Sequence, residues 1–394
     1  METVSHPFWK ALFICSFVFL FSGCTEEEKG KIKSEISTEQ FLEEVKDSQN
    51  QAKQWFLGSL RKEGLFTYQY NPETGSDSTG NNAIRQFMAA RLLAEMVKEN
   101  PELSEEHRKN LSFLMTNWYR ETQDKQYGYT WFDEKSKLGA NAMLLRTLVY
   151  SPFFEAYEAQ AKKLADGIVS LIQQDGSLRP WFIEPNYAYD KDYLLTFYSG
   201  EAIVSLLEYA EKTESPEYLN HAKKAQEFYL DRYVNHLKEN YYPAYVPWHT
   251  ISLNKLYKIT NEKKYADAIF TMNDILLVMQ DTKKHVGRFY NAKTPQYGKP
   301  HAASDAVYTE GLAYAYEVAV LVGDKTREKK YLNALKLALR NLQSLQYTGN
   351  IPARYDSEKV RGGIQTRVGT TFIRIDNVQH TLDAYRKIQE VVKP

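Results

Sequence analysis

Cysteine is nearly absent from this chain of 394 residues: it has two, Cys15 and Cys24. No disulfide and no thiolate-ligated metal is therefore open to a domain folded beyond them. Net charge is missing as well, because 50 basic residues balance 50 acidic ones and no long basic run breaks the balance. That removes the electrostatic footprint of a nucleic-acid binder, and no nucleic-acid partner is expected. No stretch rich in Pro, Gly or Ser interrupts the pattern after about residue 37, so one domain over 37–394 is expected. Metal-ligand spacing is lacking too: the eight histidines are scattered, with no His-x-x-x-His or Glu-x-x-His of ligand type. No metal or cofactor is expected, and a calcium site in a long loop is the one option left open.

The apolar run 11–21 is too short to span a bilayer and fits the core of a secretory leader, preceded by Lys10. It ends in Phe21-Ser22-Gly23-Cys24, which resembles the lipobox of bacterial lipoproteins, with Phe21 in place of the usual Leu. The resemblance implies a signal peptide over 1–23, lipidation (palmitate) at Cys24 and a membrane-anchored envelope protein. The anchor is expected in the outer membrane, with the domain on its periplasmic or surface face. Residues 24–36, charged and poor in apolar groups, read as a tether.

Aromatics are plentiful, with 29 tyrosines. The unit of the fold is plainest at 198–234, a helix opened by Ser199 and Gly200, a turn at 214–216 and a return helix. Ala202, Ile203, Leu206, Leu207 and Ala210 recur at helical spacing, as do Tyr218, Ala222, Ala225, Phe228 and Tyr229. Neither helix buries its stripe alone, and the plan returns at roughly 50 to 60 residues, near the range of repeat architectures. Helices are predicted over 38–60, 83–98, 104–121, 139–150, 154–173, 249–259, 263–280, 305–322, 326–346 and 376–392, besides this hairpin. The unpartnered first and last helices pair across the chain ends, which gives an all-α ring of six hairpins, an (α/α)6 toroid. Its inner helices start near Ala83, Gly139, Ser199, His249, Asp305 and Asp376, and the loops before them (66–82, 126–138, 175–197, 241–248, 287–304 and 347–375) share one face. Most of these loops exceed about 12 residues, a length that is usually functional.

The architecture, with Tyr198-Ser199-Gly200-Glu201-Ala202, Trp248-His249, Thr309-Glu310-Gly311-Leu312-Ala313 and Arg374-Ile375-Asp376-Asn377-Val378-Gln379-His380, resembles the six-hairpin glycosidase superfamily over about residues 37–392. Its toroidal relatives include glycoside hydrolases, polysaccharide lyases and the C-terminal domain of glucuronyl C5-epimerases. The resemblance implies a carbohydrate substrate, and a monomer is expected. Other toroid chemistries lack their residues: a lanthionine-cyclase zinc site needs cysteine, and Asp190-Lys191-Asp192 falls short of the acidic run of squalene-type cyclases.

The leading expectation is an enzyme that hydrolyses an envelope or extracellular glycan; hydrolysis wants two carboxyl groups across the scissile bond, and Glu201, Glu310, Asp305 and Asp376 are the leading candidates, beside the loop acids Asp190 and Asp192. Asp305 and Asp376 also suit helix N-caps, whereas Ser199 caps its helix ahead of Glu201. A uronate lyase or C5-epimerase instead needs a His or Tyr base, from His249, His380, Tyr198 or Tyr308, and a positive group such as Arg85, Arg354 or Arg374. Loop aromatics, among them Trp131, Trp181 and Trp248, supply sugar-stacking platforms. On the third reading the same aromatic face only captures a glycan, in a binding or assembly lipoprotein.

Overall fold

The inner helices are buried almost all round, and the outer ones bury a single stripe. In the computed structural model, which describes residues 36–349 and 351–394, this difference sorts the chain into two concentric rings. The inner helices are α2 (Ala83–Glu99), α4 (Leu138–Tyr150), α6 (Lys191–Thr213), α8 (Tyr245–Thr260), α10 (Ala302–Leu321) and α12 (Ile375–Val391). On α4 every residue from Leu138 to Val149 is buried, the mark of a helix with neighbours on all sides. The outer helices are α1 (Thr38–Gly58), α3 (Ser104–Trp118), α5 (Glu158–Val169), α7 (Pro216–Leu230), α9 (Lys263–Leu276) and α11 (Lys325–Leu345). On α11 the buried set is Tyr331, Ala334, Leu335, Ala338, Leu339, Asn341, Leu342 and Leu345, one stripe at helical period.

Inner helices pack in the cyclic order α2, α4, α6, α8, α10, α12 and back to α2, and each outer helix backs one inner helix, with α1 on α12. The expected pairing of the chain ends therefore closes the ring. Glycine sets the spacing at two contacts. A Cβ on Gly139 would lie 2.6 Å from the Tyr198 ring, and one on Gly200 would lie 2.5 Å from Trp248 Cβ. The ring axis carries ion pairs: Arg146 donates to both carboxylate oxygens of Glu208 at 2.6 and 2.9 Å, and Arg91 pairs with Asp383. Burial opposes the Glu208 charge, but Arg146 holds its pKa down to about 2.

Short strands line the loop face. β1 (Gln69–Asn71) pairs with β2 (Ser76–Asp77) on one side and β7 (Ile373–Arg374) on the other; β3 (Tyr119–Glu121) pairs with β4 (Gly128–Thr130), and β5 (Ser136–Lys137) with β6 (Trp181–Ile183). The β1–β7 pair joins the first long loop to the last.

Several helix starts differ from expectation. α6 begins eight residues before Ser199, since Asp190 caps it by accepting the Tyr193 N–H at 2.9 Å; Ser199 lies mid-helix and donates to Leu195 O at 2.6 Å. Asp305 and Asp376 are not caps. His301 caps α10 through Nδ1, which accepts the Ala303 N–H at 3.1 Å, and the cap position of α12 is Arg374. α8 starts at Tyr245, with Pro247 in the first turn, where its missing N–H costs nothing. The expected leader, the Cys24 lipidation site and nearly all of the tether lie outside the described residues. Among the described residues no helix is long and apolar enough to cross a membrane.

Candidate active site

A cavity of about 560 Å³ opens at the loop end of the ring, lined from all six inner helices or the loops leading into them. α2 contributes Arg85 from its first turn, where Asn82 caps the helix by accepting the Arg85 N–H at 3.2 Å. Lys137 ends β5, held against Trp181 by the β5–β6 register. α6 supplies Tyr193, Phe197, Tyr198 and Glu201, and α8 supplies Trp248. The loop before α10 brings Tyr290, Tyr297 and His301; Tyr308 follows on α10, and Arg374, Asp376 and His380 come from β7 and α12.

Two carboxyl groups in this cavity have opposite electrostatics. Asp376 accepts from Arg85 Nε at 2.6 Å and from Arg374 Nε and Nη2 at 2.6 and 2.8 Å. Burial alone would raise its pKa, but the two guanidinium groups hold it well below the usual carboxylate range. Glu201 has no such partner. It is 3% exposed, its Oε2 has no hydrogen bond, and burial pushes its pKa up to about 8, against the pull of Arg146 and Lys137. Glu201 is therefore a neutral acid at pH 7. A Cβ on Gly139 would run into Glu201 Oε2, so the room for this carboxyl exists because residue 139 is glycine. Burial, then Glu201, raises the neighbouring Tyr198 phenol far above its ordinary pKa.

His301 Nδ1 accepts the Ala303 N–H at 3.1 Å, and its Nε2 lies 3.0 Å from Arg374 Nη2. Burial and then the Arg374 charge lower its pKa to about 4, which keeps the ring neutral. In the floor, His380 Nδ1 lies 3.6 Å from Glu310 Oε2, and Trp248 packs edge-on against the imidazole, ring centres 6.0 Å apart. Glu310 lies beneath the cavity wall; burial and then the Asp383 charge raise its pKa. Ligand atoms of Glu310, His380 and Asp383 fall within 4.8 Å of one another, a set able to hold a metal by distance alone. Arg91 already neutralises Asp383, so a cation entering there would have to displace a buried guanidinium.

Of the residues singled out in the sequence, Glu201, Tyr198, Arg85, Trp248, Tyr308, Asp376, Arg374 and His380 meet in this cavity, with Glu310 directly behind His380. The others sit elsewhere. His249 Nε2 is 2.9 Å from Ser199 Oγ, its Nδ1 faces Gln226, and burial lowers its pKa to about 3. Asp305 is a strut: it accepts the Phe289 N–H at 2.9 Å and Asn341 Nδ2 at 2.8 Å, while burial raises its pKa to about 6. Arg354 is paired with Glu73 at 3.0 Å outside the lining. Trp131 is also outside it, and Trp181 is buried behind Lys137. Lys137 and His301 were not singled out. Both are cap residues directly preceding an inner helix, as Arg374 is, and only correct helix starts would have exposed that shared position.

A second hollow, about 710 Å³, lies at the turn end of the ring, lined in part by Tyr314, Lys255, Lys258 and Lys387. Its lysines are already paired: Lys258 with Glu317 at 2.6 Å, Lys387 with Glu390 at 2.9 Å and Lys255 with Glu211 at 3.4 Å.

The fold and cavity define a six-hairpin (α/α)6 toroid with a charged funnel at its loop end. No protein-family model and no curated protein matches the chain. Solved structures do. A D-mannose isomerase superposes with a TM-score of 0.67 at 14% identity, over 91% of this chain and 100% of that one. Cellobiose 2-epimerase from Bacillus thermoamylovorans gives 0.64 at 11% identity, covering 88% and 99%. An unsaturated glucuronyl hydrolase specific for heparin gives 0.60 at 13% identity, covering 89% and 98%. The chain shares the (α/α)6 toroid fold of these structures.

Proposed function

We propose that the protein is a carbohydrate-active enzyme that moves protons on a sugar, with Glu201 as the acid and His380 as the base. The carrying observation is the contrast inside one cavity: Glu201 is a neutral, unbonded acid, whereas Asp376 is clamped by two guanidinium groups. A carboxylate held so far below its usual pKa is a poor base or nucleophile. His380 is backed by Glu310 and faces the same space, which suits abstraction of a proton from carbon. Arg85 and Arg374 would stabilise the negative charge that builds up as that proton leaves. Epimerisation or isomerisation follows when Glu201 returns a proton, and elimination when it protonates a leaving oxygen. The isomerase and the epimerase of the same fold are named for sugar chemistry of this class.

Hydrolysis is the second reading. Glu201 also meets the requirement for protonating a glycosidic oxygen, and the glucuronyl hydrolase shares the fold. Incubation with candidate sugars in D2O separates the two. Deuterium in recovered sugar, or a 4,5-unsaturated product in step with any new reducing ends, is the expected result; new reducing ends with neither unsaturation nor exchange into the sugar would make the protein a hydrolase.

Export and anchoring belong to the same proposal. The run 11–21 followed by Ser22-Gly23-Cys24 supports a lipoprotein acting on envelope or extracellular glycan. Palmitate labelling of the cellular protein, abolished by Cys24→Ser, is the expected outcome.

A further inference from the structure

The buried cations elsewhere in the ring are each paired with a carboxylate: Arg91 with Asp383, Arg146 with Glu208, and Lys387 with Glu317. The cavity breaks this rule. Arg85, Arg374 and Lys137, with the exposed Lys299 as a fourth cation, bring their positive charges to a single ionised carboxylate, Asp376, which both guanidinium groups already share. Glu201 cannot serve as a counter-ion while burial keeps it protonated. Lys137 makes no ion pair among the described residues; its ammonium lies 5.9 Å from the centre of the Trp181 ring, and the nearby Asp133 is held by Lys135. Burial and then the charges of Lys135 and Arg85 lower the Lys137 pKa, so the ammonium is both partly desolvated and crowded by like charge.

Apart from the exposed Lys299, which precedes α10, the surplus is one-sided. Lys137, Arg85 and Arg374 belong to α4, α2 and α12 or the residues leading into them, which are consecutive in the ring. The facing half, α6, α8 and α10 with their loops, supplies Tyr193, Tyr242, Trp248, Tyr297 and Tyr308. A ligand suited to both halves has a sugar face for the aromatic side and an anionic substituent for the cationic side.

We propose that the cavity takes a carboxylate-bearing sugar, a uronic acid, with the carboxylate bound by Lys137 together with Arg85. The inference rests on the sugar-processing reading of the same cavity and adds the substrate class to it. A carboxylate also fits the proposed chemistry, since it acidifies the hydrogen on the adjacent ring carbon that His380 would remove.

Binding to the full chain is the test, followed by NMR titration with methyl β-D-glucuronide, methyl β-D-glucoside and methyl β-D-glucoside 6-sulfate. The glucuronide should bind about tenfold or more tighter than the neutral glucoside, as a charge-assisted contact allows. Lys137→Met should bring the two within about threefold, and Lys137→Arg should restore the preference. Equal binding of glucuronide and glucoside to the native chain would overturn the uronate proposal and leave the sugar site standing. Preference for the 6-sulfate over the glucuronide, or a glucuronide preference untouched by Lys137→Met, would overturn it as well. If none of the three binds, the sugar-site reading falls and this proposal with it.

Discussion

Glu201 and Asp376 stand in one cavity on helices across the ring from each other, and their surroundings drive their acidities in opposite directions. Both are taken out of water, which by itself favours the neutral acid. Asp376 then receives hydrogen bonds from two guanidinium groups, while Glu201 receives none at Oε2. Charge partners, not depth, decide which carboxyl can give up a proton at neutral pH. Asp376 holds Arg85 and Arg374 in position, and Glu201 is left as the group able to do chemistry.

The strongest way to test that contrast is to remove its reactive member. Glu201→Gln keeps the shape and deletes the transferable proton, so kcat should fall by about 10²–10⁴, the usual worth of a general acid. The same variant should be more stable than the native chain. A carboxyl whose folded pKa of about 8 exceeds its unfolded value of about 4.3 costs stability as pH rises between those two values. Urea unfolding of the two proteins should therefore diverge from about pH 4 upward, by on the order of a few kcal/mol at pH 8, and the gap should level off beyond it.

Asp376→Asn attacks the other member and should act in the opposite sense. It leaves two guanidinium groups facing each other without their carboxylate, a loss of about 3–5 kcal/mol by the standard of broken buried pairs. Because the folded pKa of Asp376 is depressed, its contribution is present above the unfolded pKa of about 3.9 and fades as pH falls below it. The penalty of the Asn variant should shrink accordingly in acid.

A smaller effect is expected from Gly139→Ala, whose added methyl meets Tyr198 and Glu201 Oε2. Overpacking of this kind costs about 1–3 kcal/mol, and because the neighbour that must move is Glu201, activity should fall more than stability does. The smallest effect should come from His249→Gln, which disturbs the bonds to Ser199 and Gln226 outside the cavity. Stability should drop by about 1 kcal/mol and kcat should hold.

Much of this plan is legible in the chain because apolar residues recur at helical spacing in both helices of a hairpin, and because the long aromatic loops precede the inner helices. The ring closure was legible too, since a first and a last helix without partners have each other. Side-chain direction was harder. Trp248 and His249 are adjacent, yet a helix turns about 100° per residue, so Trp248 lines the cavity while His249 faces Gln226 on α7. Asp305 and Asp376 look like caps from sequence, but their helices start a turn or a residue earlier, which leaves Asp376 facing the cavity and Asp305 facing Asn341 on α11. Lys137 and His301 were hidden for the same reason: each occupies the cap position itself, one residue before a helix start that periodicity does not resolve. The long-range pairs of Asp376 with Arg85 and of Arg91 with Asp383 join distant parts of the chain, and no local pattern announces them.

The most direct test is to titrate the Glu201 carboxyl itself, by carboxyl-region difference infrared spectroscopy of the native protein against Glu201→Gln across pH 3 to 10. The account predicts a protonated band that disappears near pH 8 and is missing from the variant. A Glu201 that is ionised by about pH 5, the range of an ordinary carboxylate, would contradict it and take the proposed proton donor away.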